Sequence, residues 1–108
     1  MELLPQSIAE KLPKLYEQEW LGEDAVIYIK LFDPCSNWSW YVTEYDGTDT
    51  FFGLVVGHEV ELGYFSLQEL KNCCNRFGIG IEIDLYFEPV TINELKAKLR
   101  RDYNQRLI

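Results

Sequence analysis

A chain of 108 residues, 47% apolar and 15% aromatic, is long enough to pack one core and needs neither disulfides nor a metal to hold it. Its net charge of −8 excludes general binding to nucleic acid or anionic membranes, which takes clustered Lys and Arg. Three cysteines, two of them adjacent, exclude a disulfide framework, and no apolar run has the form of a secretory leader or approaches the ~20 residues of a bilayer span, so a soluble cytoplasmic protein is expected.

The first predicted element is a short helix from Leu3 to Leu12, where Pro5 is tolerated in the opening turn and Leu4, Ile8 and Leu12 recur at helical spacing. Pro13 ends it. Leu15, Tyr16 and Trp20 are expected to cover one edge of the core, and Gly22-Glu23-Asp24 to turn the chain. Ala25 to Phe32 is rich in β-branched and aromatic residues and reads as the first strand, with Lys30 snorkelling or at an edge. A loop follows from Asp33 to Asn37.

The stretch from Trp38 to Leu70 is the framework of the chain. Trp38, Trp40 and Val42 alternate with Ser39, Tyr41, Thr43 and Tyr45, which puts the two sets on opposite faces of a strand. Asp46-Gly47 reverses the chain, and Phe51 to Gly57 returns beside it. Gly53 and Gly57 share the Phe51 and Val55 face, which predicts close approach by a large group, most simply the ring of Trp38, Tyr41 or Tyr64. A third short strand runs from Glu61 to Phe65.

Ser66-Leu67-Gln68-Glu69 has capping-box form and opens a helix whose apolar stripe is Leu67, Leu70 and one of Cys73 and Cys74, closed by Gly78 or Gly80. Ile81 to Phe87 reads as a fourth strand or an extended segment. Thr91-Ile92-Asn93-Glu94 is a second capping box, opening a last helix with Ile92, Leu95, Leu99 and Tyr103 inward. The expected fold is α+β, an antiparallel sheet of about four strands packed on one face by two or three short helices. Residues 1–108 form a single domain, with a basic C-terminal helix and tail over 91–108.

The motifs that could carry chemistry are incomplete. His58-Glu59 begins a metalloprotease helix motif, but Leu62 stands where the second histidine is needed, and His58 is the sole histidine. Cys35, Cys73 and Cys74 lack zinc-finger spacing and read as small buried thiols. Cys35 or Ser36 with His58 has no nucleophile context around it. No catalytic residue, metal or cofactor is assigned. The acidic residues Glu44, Asp46, Asp49, Glu59 and Glu61 gather around the turns as a rim, and Trp38, Trp40 and Tyr45 are candidates for aromatic surface.

Charge is unevenly spread. Residues 1–95 hold five Lys and Arg against 17 Asp and Glu, a balance of −12, whereas residues 96–108 hold Lys96, Lys98, Arg100, Arg101 and Arg106 against Asp102, a balance of +4. The basic residues complement a helix dipole or, alternatively, touch nucleic acid.

Lys30–Pro34 (KLFDP), Trp38–Gly47 (WSWYVTEYDG), Phe51–Leu70 (FFGLVVGHEVELGYFSLQEL) and Ile81–Pro89 (IEIDLYFEP) resemble bacterial domain-of-unknown-function family twenty-nine fifty-eight. Ile83 stands where the family pattern usually has arginine, between Glu82 and Asp84. The resemblance implies a small protein of plasmids, phages and integrative elements, sometimes encoded near antirestriction genes, and carries no catalytic assignment. The expected function is that of a non-enzymatic binding protein of a mobile element, an accessory or inhibitor with an anti-defence role, acting through its acidic, aromatic-studded surface on a basic, nucleic-acid-handling protein. One alternative is a carboxylate- or metal-dependent hydrolase using His58, Glu59, Glu61 and Asp84. The other is a nucleic-acid accessory protein using the basic tail. Oligomeric state is left open.

Overall fold

A computed structural model describes residues 2–74 and 77–106, except for the side chain of Arg106. At its centre is a five-stranded antiparallel sheet of β2 (Ile29–Phe32), β3 (Ser39–Tyr45), β4 (Thr50–Val56), β5 (Val60–Ser66) and β6 (Glu82–Ile83), in the order β5-β4-β3-β2-β6. A separate two-stranded ribbon joins β1 (Val26–Ile27) to β7 (Val90–Thr91). The expected strand from Ala25 to Phe32 is therefore divided at Tyr28. Its first half pairs with β7, and its second half pairs with β3. Lys30 lies within 5.7 Å of the Phe32 ring centroid and 5.6 Å of that of Tyr41, so its ammonium rests over aromatic faces at a half-buried position.

The β3–β4 pairing slips by one residue between Val42 and Glu44. Thr43 is the extra residue of a bulge, and its hydroxyl donates to the Phe52 carbonyl at 2.9 Å. The slip carries Tyr45 to the other face. Simple alternation groups Tyr45 with Tyr41, whereas the folded chain groups it with Val42, stacked on Phe51 at 4.7 Å between centroids. Gly53 sits against this bulge: a Cβ there would lie 1.9 Å from the Tyr41 carbonyl oxygen, so the approach is by main chain and not by a ring. At Gly57 the expected ring is found, since an added Cβ would lie 2.4–2.6 Å from carbons of Trp38.

Apolar side chains leave the sheet on both sides. One cluster, including Leu31, Val42 and Phe51, is closed by Leu4 and Leu12 around α1 (Gln6–Ala9) and by Leu67 and Leu70 of α2 (Leu67–Asn72). The other, including Tyr41 and Leu54, is closed by Ile92 and Leu95 of α3 (Ile92–Arg106) and by Leu21 of a 3-10 segment, Glu19–Asp24. Helical elements thus cover both faces and not one, because neighbouring strand residues such as Tyr41 and Val42 are both fully apolar-packed and point opposite ways.

The capping signals hold. Ser66 Oγ accepts the Glu69 N–H at 3.1 Å at the start of α2, and Thr91 and Glu94 exchange reciprocal bonds of 3.1 Å at the start of α3. Other expectations shift. α2 ends at Asn72, well before Gly78, because Cys73 is already extended (ψ 123°), and Cys73 and Cys74 are exposed instead of lining the stripe. Tyr103 is exposed, and so are Tyr16 and Trp20. The edge they were expected to cover is filled by Gln18, whose side chain donates to the carbonyls of Val26 and Thr43 and accepts from the Val26 N–H.

Candidate functional site

The five acidic residues of the expected rim divide into two groups. Glu44 is buried, and its carboxylate accepts the main-chain N–H of Tyr16 at 2.8 Å and of Gln18 at 2.9 Å, holding Tyr16 at φ +72°. Asp46 Oδ1 accepts the N–H groups of Thr48, Asp49 and Thr50, which hold its carboxyl below the ordinary carboxylate value. Asp49 bonds the Ser66 hydroxyl at 2.7 Å and the Gln68 N–H at 2.7 Å, fastening the β3–β4 turn to the start of α2. Each of these three carboxylates is bonded within the fold, Glu44 and Asp49 through both oxygens and Asp46 through Oδ1.

Glu59 and Glu61 remain, exposed at the β4–β5 hairpin. They line a shallow cleft of about 260 Å³ with Trp38, Val55 and His58. Gly57 makes room for the Trp38 ring, which meets His58 edge-on at 5.5 Å and stacks on Trp40 at 6.0 Å. Glu59 bonds Glu61 and shares its charge, which together push the Glu61 carboxyl above its ordinary value. Trp38 and Trp40 are half-buried, whereas Tyr45, expected at the surface, lies in the core. The bulge at Thr43 is the cause.

The acid–base set His58, Glu59, Glu61 and Asp84 is not assembled as a whole. The first three share the hairpin cleft, while Asp84 follows β6 at the opposite edge of the sheet, where its carboxylate accepts the Tyr86 N–H. Among the described residues no three of His, Cys, Asp and Glu are grouped as metal ligands. The Ser36 hydroxyl bonds Asp33 at 2.9 Å and not His58. A larger cleft of about 620 Å³ lies between α1, α2 and the β3–β4 turn, with Glu10 and Lys71 on its walls.

A family described as "Protein of unknown function (DUF2958)" matches residues 3–102. The chain belongs to that family. The matched region includes the hairpin, both cores and α3 as far as residue 102. Nothing among curated proteins or solved structures matches the chain.

In this DUF2958 protein the basic residues lie along α3. Lys96 pairs with Glu23 of the 3-10 segment, and Asn93 bonds Asp24 beside it. Lys98, Arg100 and Arg101 are exposed, and the side chain of Arg106 lies outside the described residues. No helix among the described residues is long and apolar enough to cross a membrane.

Sequence reasoning passed over one surface. Val60, Leu62 and Tyr64 are all exposed along β5, and Tyr16 beside Tyr64 pushes its hydroxyl up. The available signal was charge: residues 31–70 contain no Lys or Arg and seven Asp and Glu.

Proposed function

We propose that this DUF2958 protein is a non-enzymatic binding protein of a mobile genetic element, working in the bacterial cytoplasm, and that it captures a basic, nucleic-acid-handling host protein such as a defence nuclease. The observation that carries the reading is the hairpin surface. Glu59 and Glu61 are exposed beside Trp38 and His58, with no ion pair to either carboxylate among the described residues. Aromatic rings beside uncompensated acids suit a protein interface: the rings supply the buried area, and the acids steer and orient a cationic partner. Glu59, through a side-chain hydrogen bond and its like charge, pushes the Glu61 carboxyl up, and a partner's Lys or Arg would act against that shift. The test is capture from extracts of a defence-bearing host at physiological salt. A basic nucleic-acid-handling protein is retained and released as salt rises. Consistent absence of one overturns the reading.

A second reading has one observation in its favour, the cleft shared by His58, Glu59 and Glu61. In it Glu61, whose carboxyl Glu59 pushes up, serves as acid and His58 as base. Hydrolysis of model phosphate and carboxylic esters that is lost in both His58→Gln and Glu61→Gln would select this reading, and loss in neither removes it.

A further inference from the structure

The outer edge of β5 is an open strand. β5 terminates the sheet, spans seven residues and contains neither proline nor lysine, the residues that commonly blunt such edges. Gly57 N–H donates to the Glu59 carbonyl at 3.0 Å, so the main-chain groups of Glu59 face β4. By the alternation of an antiparallel ladder those of Glu61, Gly63 and Phe65 also face β4, and those of Val60, Leu62 and Tyr64 point outward. The side chains divide the same way. Val60, Leu62 and Tyr64 are 47%, 43% and 57% exposed on one face, with Tyr64 against Phe52 at 4.9 Å, while Glu61 stands on the other face in the cleft with Glu59 and Trp38.

We infer that this edge receives an extended segment of the basic partner as a sixth strand, one that alternates apolar and basic residues. The period of a strand is two, so such a segment lays its apolar residues against Val60, Leu62 and Tyr64 and its basic residues against Glu59 and Glu61. Charge selects this occupant over a second copy of the chain. The nearest Lys and Arg in sequence are Lys30 and Lys71, so a second β5 would bring no cation to the two carboxylates. The inference rests on the reading of the protein as a captor of a basic protein, and names the surface and the binding mode.

The test uses the full chain and two peptides of about eight residues, the length of a strand. One strictly alternates lysine and valine, and the other holds the same residues in two blocks. Amide exchange at Leu62 and Tyr64, followed by NMR, slows about tenfold or more with the alternating peptide and not with the block peptide. Leu62→Lys abolishes the slowing, and Glu59→Gln with Glu61→Gln weakens it without touching an apolar contact. Three results overturn the inference: no slowing, equal slowing by both peptides, or protection in the free protein that rises with its concentration, which would mean a second copy fills the edge. Partner capture separates the two claims. A partner held equally by wild type and Leu62→Lys leaves the captor reading standing and removes the edge. No partner on wild type removes the captor reading, while the peptides still decide whether the edge accepts a strand.

Discussion

Glu44 accepts the main-chain N–H of Gln18 across 26 positions of sequence, at 2.9 Å, with its other oxygen on Tyr16. The bond ties the irregular segment before β1 to the bulged end of β3, and it places Gln18 to satisfy Val26 and Thr43 in turn. Hydrogen bonds to a charged group contribute about 1.5–3 kcal/mol each, and an N–H left unpaired costs about 1–3 kcal/mol. Glu44→Ala is expected to lower unfolding free energy by about 3 kcal/mol in urea, and Glu44→Gln, which keeps one acceptor, by less. A result within the scatter of exposed controls such as Glu69→Gln would show that the tie is not structural.

Gly53 and Gly57 are predicted to differ. Both exclude a Cβ, but at Gly53 the obstacle is the Tyr41 carbonyl, while at Gly57 it is the ring of Trp38 at the rim of a cleft. A side chain at the surface moves and a bulged backbone in the core does not. Gly57→Ala should cost about 1–2 kcal/mol and shift tryptophan fluorescence, whereas Gly53→Ala should cost more and disturb the β3–β4 pairing. Thermal melts of the two variants decide the order.

This contrast marks how far the sequence was legible. The Asp46-Gly47 reversal and the Ser66 and Thr91 caps rest on local chemistry and were readable, and at Gly57 a ring was expected, with Trp38 one of three candidates. The bulge at Thr43 was not, because Tyr16 and Gln18, distant in sequence, bond Glu44 and the Thr43 carbonyl, and with it went the positions of Tyr45 and of Glu44 itself. Tyr28 hid a change of strand partner inside one β-rich run. Of the candidate site residues, Glu59 and Glu61 are exposed as the sequence suggests and Trp38 is half-buried, while Asp46 and Asp49, acids of the same composition, are bonded within the fold.

Two carboxylates should respond to pH with opposite sign. Asp46 is held below its ordinary value of 3.8 by three N–H donors, so its contribution is present above that pH and is lost as pH falls through the lower folded value. Asp46→Asn should therefore destabilise at neutral pH and converge with wild type in acid. Glu61 is raised above 4.5 by Glu59, so its contribution is present below that pH and is lost as pH rises through the higher folded value. Glu61→Gln should then melt higher than wild type at neutral pH, with the difference vanishing in acid. Melting curves across this range check both signs.

The basic face of α3 is expected to serve the fold. Lys96 pairs with Glu23, while Lys98, Arg100 and Arg101 are exposed along the helix. Gel shifts with duplex and single-stranded DNA should show no salt-sensitive binding at physiological ionic strength, and Lys98→Glu with Arg101→Glu should leave partner capture unchanged. A shift abolished by that double variant would move function to the tail.

The central claim is that Glu59 and Glu61 present uncompensated charge to a cationic protein. Its most direct measurement is the affinity of the captured partner, purified, for wild type and for the Glu59→Gln, Glu61→Gln variant as salt is raised. The account predicts binding weakened about tenfold or more in the variant at physiological salt and a shallower salt dependence, in a protein that melts no lower than wild type. Equal affinity and equal salt dependence in the two proteins would contradict it.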